Sequence, residues 1–179
     1  SYQARQGADI LLNLSATNEL IGKHHYLLSL LQQQSARCLA GYVYASAGFG
    51  ESSTDLVFAG NGIVVENGSV LAQTERFVQA PRLAVSEIDV ERLRSERRVK
   101  NSFAQGFAPK EHPVRRIPFE LADVPLQLTR PVESRPFVPA DSFTLRDRCE
   151  EILSMQAAGL GDFGMREVVH VGPKKLMGE

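Results

Sequence analysis

Cysteine and histidine are the first residue types to consider for nucleophilic or metal chemistry in this chain. Cys38 and Cys149 lie far apart and form no C-x-x-C pair, so neither a disulfide framework nor a zinc site is predicted. An activated cysteine needs a neighbouring base or a helix N-terminus to lower its pKa, whereas Cys38 falls near the end of a predicted helix, on its apolar side. We therefore interpret Cys38 as a packed thiol, and we assign no catalytic or metal-ligating residue.

The start of the same predicted helix holds three further candidates. His24 and His25 are adjacent, so on a helix they point about 100° apart and cannot hold a metal as an i, i+4 pair can. We expect them at the helix surface and at the edge of the core. Lys23 is disfavoured by the helix dipole at this position. A cation at a helix start therefore indicates an anionic ligand that offsets its charge.

Two loops could contribute to a site, and the residues alone leave their roles open. Glu51 lies in a glycine-flanked loop with two serines and a threonine, which suits a solvated turn and the wall of a site equally well. Residues 60–62, Gly-Asn-Gly, permit close approach of a backbone but lack the remainder of a phosphate-binding fingerprint. These features by themselves indicate only an α/β domain of unknown activity.

The elements that must position these residues alternate between strands and helices. Residues 8–16 form an apolar run that ends in small polar residues, which predicts an interior strand. Residues 23–39 place their apolar side chains on one face of a helix. Residues 41–47 predict a second strand, and residues 57–75 predict a β-hairpin whose turn contains an Asn-Gly pair. The pattern is that of a layered α/β fold.

The second half of the chain has a different character. Residues 82–89 are predicted as a further strand, and the charged residues 90–103 as a helix. Six prolines between residues 109 and 136 then indicate an extended connector over residues 104–140. A final helix is predicted from Ser142, as its N-cap, to residue 160, and a short strand at residues 168–171.

Composition excludes several classes of partner. With 20 basic and 21 acidic residues the net charge is −1, so no global field attracts nucleic acid or anionic lipid, and neither is predicted as a partner. The first twenty residues contain neither a signal-peptide core nor a membrane span, which indicates a cytoplasmic protein. Because Ser1 is not Met and a strand starts within ten residues, we interpret the chain as a fragment.

Three segments resemble the nitrilase-like glutaminase domain of bacterial glutamine-dependent NAD⁺ synthetases. They are NLSATNELIGKHHYL, QQQSARCLAGYVYASAGFGESSTDLVFAGNGIVVENGSVLAQTERF and VSEIDVERLRSERR. The match is nearly continuous over residues 7–103, and it continues more loosely to CEEILSMQAAGL, which resembles the first helix of the attached synthetase domain. The resemblance implies part of an α-β-β-α sandwich in residues 1–103, a connector in residues 104–140 and the start of the synthetase domain in residues 141–179.

The resemblance also implies how glutamine is used. The family hydrolyses glutamine with a Glu, a Lys and a Cys nucleophile, all upstream of the strand at residues 8–16, so none is assigned in this chain. A Ser and, six residues later, a basic residue contact the amino-acid end of glutamine in the family, and these positions match Thr17 and Lys23. Thr17 keeps the hydroxyl, whereas a lysine cannot reproduce the bidentate geometry of an arginine.

The intact parent enzyme would require ATP and magnesium in its synthetase half, and the glutaminase part would require no cofactor. That half needs an S-G-G-x-D-S loop after a strand, whereas GPKKLMGE follows the predicted strand here. We therefore expect an inactive fragment that depends on glutamine and the remainder of the parent, in a homo-oligomer. The alternatives are a free-standing nitrilase-superfamily amidase and a noncatalytic interaction module, since half a sandwich exposes sheet edges and an apolar face.

Overall fold

The computed structural model describes residues 2–51, 55–105, 114–122, 125, 127–132, 134–135, 138–139 and 141–162. The chain forms two compact units, Ser1–Arg130 and Pro131–Glu179. The described elements are, in chain order, α1 (Tyr2–Arg5), β1 (Ile10–Ser15), α2 (Lys23–Cys38), β2 (Gly41–Ser46), β3 (Gly62–Glu66), β4 (Ser69–Gln73), α3 (Val90–Val99), α4 (Asn101–Gln105) and α5 (Ser142–Asp162). Helices and strands are mixed as the sequence predicts, and the α/β class is confirmed.

The first unit is built on a single four-stranded sheet. Its strands follow the order β1-β2-β3-β4, so each strand pairs with the next one along the chain. β1 runs parallel to β2, with Ile10 opposite Gly41, and α2 makes the crossover between them. The other two pairs are antiparallel. The strands at residues 8–16 and 41–47, the helix at residues 23–39 and the hairpin are therefore all confirmed.

One face of the sheet carries the main apolar core. In α2, Leu31 is buried against Tyr44 of β2 and against Ile63 and Val65 of β3. Tyr44 lies opposite Ile63 in the strand register, so both side chains point to this face. The three- and four-residue spacing of apolar residues in α2 is thus explained by the sheet that it covers.

The turn of the β3–β4 hairpin is held in place by hydrogen bonds to α2. Asn67 and Gly68 have positive φ values of 45° and 89°, as the Asn-Gly pair predicts. Gln32 Nε2 of α2 donates to Gly68 O at 3.0 Å, and Gly68 N lies 3.4 Å from Ser35 Oγ. Ser35 Oγ also donates to Ala40 O at 2.6 Å. The buried Ser35 therefore ties the turn to the end of α2.

The predicted strand at residues 82–89 is wrong, because this segment pairs with no described strand. It crosses the sheet face opposite α2 by side-chain packing. A methyl group added at Gly41 would lie 2.8 Å from Ile88 Cδ1, and one added at Gly62 would lie 3.8 Å from Ala84 Cβ. Leu83 is exposed instead. An apolar, β-branched segment can cover a sheet as well as extend it, and its composition does not distinguish the two.

The charged helix predicted at residues 90–103 is divided in two. Asp89 caps α3 by accepting a hydrogen bond from Arg92 N at 2.9 Å, and Lys100 adopts an extended conformation before α4. Arg97 of α3 donates to Leu39 O at 2.9 Å and to Ala8 O at 2.8 Å, so this helix holds the end of α2 beside the start of β1.

The second unit is described mainly through α5. Its first turn is capped by Asp141, whose carboxylate accepts from Thr144 N at 2.7 Å, so the predicted cap at Ser142 is one residue too late. Parts of residues 104–140 and the whole of the predicted strand at residues 168–171 lie outside the described residues. Within the described residues, no helix is long and apolar enough to cross a membrane.

Candidate functional site

The loop between β1 and α2 carries both residues that the sequence assigns to glutamine. Thr17 is exposed, and its Oγ1 lies 2.6 Å from Ser15 Oγ at the end of β1. Lys23 begins α2, and its Nζ donates to the carbonyl of Asn18, the residue after Thr17. The loop therefore folds back so that a hydroxyl and an ammonium group lie near the same stretch of backbone. Glu19 N donates to Val57 O at 2.8 Å and anchors this loop.

The start of α2 has an electrostatic character that suits an anion. Gly22 precedes the helix with φ of 81°, no side chain caps the first turn, and that turn contains no acidic residue. The N–H groups at the helix start and the Lys23 ammonium thus add positive potential at one place. Among the described residues, no carboxylate forms an ion pair with Lys23. A carboxylate ligand would offset both sources of charge.

A layer of polar side chains lies behind this loop. The carboxylate of Glu19 lies 3.7 Å from Arg76 Nη1, and His24 Nε2 lies 3.1 Å from Gln73 Nε2. Several buried polar atoms have no hydrogen-bond partner among the described residues: Glu19 Oε2, His24 Nδ1 and both amide atoms of Asn61. Unpaired buried polar atoms are costly, so each of these atoms reduces the stability of the fold.

Among the side chains of this polar layer, His24 has a pKa that is shifted from its ordinary value. Burial disfavours the charged imidazolium, and the positive charge of Arg76 adds to this, so the pKa of His24 lies below the ordinary value of 6.5. Glu19 opposes the shift with a smaller effect. The folded state therefore favours a neutral His24 over the pH interval just below 6.5.

This shift predicts a pH-dependent stability. The unfolded chain binds a proton at His24 that the folded chain excludes, so the stabilisation is present above pH 6.5 and is lost as the pH falls through the lower folded pKa. Melting temperatures measured at about pH 8 and about pH 5.5 should therefore fall less in His24→Gln than in the wild type. The neighbouring exposed His25→Gln is the control, and an equal fall in both variants would contradict the assignment.

The remaining sequence candidates lie elsewhere and have structural contacts. Glu51 Oε2 accepts from Gly48 N at 2.7 Å, which favours the turn over the site wall. Cys38 is buried with Ala4 and Ala40, as a packed thiol should be, and Cys149 is exposed on α5. No group of three or more metal-ligating side chains occurs among the described residues.

The backbone of residues 60–62 is closely approached, as the sequence predicts, but by another loop of the same chain. A methyl group at Gly60, where φ is 63°, would lie 3.2 Å from Gly48 Cα. Gly60 N also donates to Ala47 O at 2.9 Å. The glycines therefore let the loop after β2 rest on the start of β3.

Three polar residues were not found by reasoning from the sequence: Glu19, Asn61 and Arg76. The Glu19–Arg76 pair joins segments that are far apart along the chain, and no short motif encodes it. A polar Asn61 between two glycines, directly before the apolar run of β3, is the one local signal that could have indicated a buried amide.

The class that fold and loop define is a mixed α/β domain whose helix α2 begins without a side-chain cap or an acidic residue in its first turn. The chain is 43% identical over 163 residues to the glutamine-dependent NAD(+) synthetases of Mycobacterium tuberculosis and Mycobacterium bovis, which covers 88% of this chain and 24% of each relative. The enzyme of Mycobacterium leprae is 42% identical over 162 residues. The resemblance stated from the sequence is confirmed over this stretch, and the chain spans about a quarter of the length of these curated relatives.

Solved structures add two partial matches. A glutamine-dependent NAD(+) synthetase from Cytophaga hutchinsonii matches 41% of this chain and 12% of its own, at 26% identity and a TM-score of 0.39. A carbon-nitrogen hydrolase from Helicobacter pylori matches 58% of this chain and 39% of its own, at 18% identity and a TM-score of 0.46. No family model matches the chain.

Proposed function

We propose that this chain is the second half of the glutaminase domain of a glutamine-dependent NAD⁺ synthetase, where it binds the amino-acid end of glutamine. The observation that carries the proposal is Lys23 at an uncapped helix start, in a chain 43% identical over 163 residues to enzymes of that name. Within the intact parent the described sheet forms one layer of an α-β-β-α sandwich. The reaction supplies ammonia for the ATP-dependent amidation of nicotinic acid adenine dinucleotide.

The chemistry assigned to this chain is binding and orientation. The Lys23 ammonium holds the α-carboxylate of glutamine, and the Thr17 hydroxyl adds a hydrogen bond at the same end. Fixing this end directs the side-chain amide toward the thiolate that the rest of the parent supplies, which converts part of the binding energy into orientation. The Asn18 carbonyl, to which Lys23 donates, limits the directions that the ammonium can take.

The parent is also required for structural reasons. β1 pairs only with β2 within the described sheet, so its outer edge is open. On the face opposite α2, Leu12 and Leu14 of β1 are 77% and 87% exposed. Covering such an apolar strand favours association with further protein. We assign this role to the remainder of the parent, in a cytoplasmic homo-oligomer.

ATP and magnesium belong to other parts of the parent. The described residues contain no group of three or more side chains that could hold a metal ion, so they do not fit a magnesium site. We assign no step of the adenylation to these residues. The contribution that we propose for them is the positioning of glutamine.

The isolated chain should release no glutamate from glutamine. A carboxamide is a poor electrophile, and the chain supplies no activated thiolate with its general base. Glutamate release is measured by a coupled assay on the purified chain, with the intact parent as the positive control. Activity that disappears in Cys38→Ala would contradict both this prediction and the assignment of Cys38 to the core. A parent that forms NAD⁺ from ammonia but not from glutamine would overturn the proposed function.

A further inference from the structure

The ion pair between Glu19 and Arg76 holds the loop between β1 and α2 against the segment that follows β4. Arg76 Nη1 lies 3.7 Å from Glu19 Oε2, and only 11% of the Glu19 side chain is exposed. The next residues, Leu20 and Ile21, are exposed instead. Within the described part of the chain, Glu19 is the one member of residues 16–22 whose side chain forms an ion pair or hydrogen bond beyond residues 15–23. The pair therefore determines where this carboxylate lies.

Arg76 belongs to a segment that is attached to the sheet on both sides. Thr74 Oγ1 accepts from Gly62 N at 2.7 Å, and Thr74 N donates to Gly62 O at 2.9 Å. Phe77 N donates to Ala59 O at 2.8 Å, and the Arg76 guanidinium lies 5.0 Å from the centroid of the Phe77 ring. Phe77 has φ of 59°, a conformation that a bulky residue keeps only where its surroundings hold it. Arg76 therefore has a fixed place beside the loop.

Glu19 is also the acidic residue closest along the chain to Lys23. Lys23 Nζ donates to Asn18 O, the carbonyl directly before Glu19, so a Glu19 side chain released from Arg76 could approach the same ammonium. An opposite charge at about 4 Å attracts the ammonium and offsets its charge. A released Glu19 carboxylate would thus compete with the α-carboxylate of glutamine for Lys23.

We propose that Arg76 is a positioning residue for glutamine binding, because it holds the Glu19 carboxylate in the polar layer and leaves the Lys23 ammonium free for the α-carboxylate of the substrate. This inference rests on the proposed function. Arg76 acts through Glu19 and not by contact with glutamine. The charges of Arg76 and Glu19 shift the pKa of His24 in opposite directions, so both charges lie close to the residue that follows Lys23.

The test measures KM and kcat for glutamine in the intact parent carrying Arg76→Met. We expect KM to rise by about 2- to 30-fold, the range over which residues without ligand contact modulate binding. The value of kcat should stay near wild type. The difference in KM from wild type should shrink as salt is added, because salt screens the pair that the released Glu19 forms with Lys23. Arg76→Lys, which keeps the positive charge, should give a smaller rise.

A second substitution separates this role from a purely structural one. Adding Glu19→Gln to Arg76→Met removes the carboxylate that competes for Lys23, so KM should return most of the way to the wild-type value. A double variant that binds glutamine no better than Arg76→Met would overturn the inference. Arg76→Gln repeats the comparison with a polar side chain in case Arg76→Met does not fold, and an unchanged KM in either variant would also overturn the inference.

Arg82→Met is the matched control, because Arg82 forms only an exposed pair with Glu75 at 3.9 Å. Its KM should equal that of the wild type. NAD⁺ formation from free ammonium is measured for every variant and should stay near wild type. A wild-type parent that uses ammonium but not glutamine would contradict the proposed function. Normal use of glutamine with an unchanged KM in Arg76→Met would contradict only the role of Arg76.

Discussion

Replacing Lys23 with alanine in the intact parent should lower kcat/KM for glutamine by about ten- to hundredfold. Losing one hydrogen bond to a charged group costs about 1.5–3 kcal/mol, which corresponds to this range. NAD⁺ formation from free ammonium should stay nearly unchanged, because that route bypasses glutamine. The measurement is steady-state kinetics of NAD⁺ formation with each nitrogen donor.

Comparing the two nitrogen donors distinguishes a role of Lys23 in glutamine binding from a structural role. Lys23 is also the first residue of α2, and its Nζ donates to Asn18 O, so its loss could disturb the loop itself. Equal losses with glutamine and ammonium would make Lys23 structural and would contradict the proposed role. Lys100→Ala is the matched control, since Lys100 is exposed and pairs with Glu96 at 3.5 Å. It should leave both rates near wild type.

Replacing Leu31 with alanine should reduce the free energy of unfolding by about 2–5 kcal/mol. Leu31 is 3% exposed and packs on Tyr44, Ile63 and Val65 at the centre of the core, where a cavity cannot easily collapse. In a domain of marginal stability such a loss lowers the folded yield before it alters the chemistry. Thermal or denaturant unfolding of the parent measures the effect.

A neighbouring leucine provides the control for this prediction. Leu30 is 47% exposed on the same helix, so Leu30→Ala removes the same atoms from a site that is partly hydrated. It should cost less than about 1 kcal/mol. Equal destabilisation by the two variants would show that α2 does not cover the sheet through Leu31.

The sequence predicted best those elements whose signals are local. The hairpin follows from an Asn-Gly pair between two apolar runs, and its turn residues have the expected positive φ. α2 follows from helical spacing over sixteen residues, and its start and end differ from the prediction by one residue at most. In both cases a few adjacent residues contain the information.

Elements that depend on distant partners could not be predicted. Residues 82–89 have the composition of a strand, and the close approach of Ile88 to Gly41 of β2, where a Cβ would not fit, shows that they cover the sheet instead. Glu66 and Arg130, whose side chains form a hydrogen bond, are 64 residues apart, and neither belongs to a motif. At the candidate site, Thr17 and Lys23 came from a family resemblance, whereas the Glu19–Arg76 pair became visible only in the packed structure.

The order of the strands has a consequence for how the sheet can form during synthesis. Because β1, β2, β3 and β4 pair in the order in which they are made, each strand emerging from the ribosome finds its partner already present. Local pairing of this kind keeps loop-closure entropy small and favours fast folding. The hydrogen bond from the Arg130 guanidinium to the Glu66 carboxylate is different. It can form only after 64 more residues have been synthesised. Ribosome-bound chains that stop before residue 130 should therefore contain the assembled sheet with a buried Glu66 that lacks its guanidinium partner.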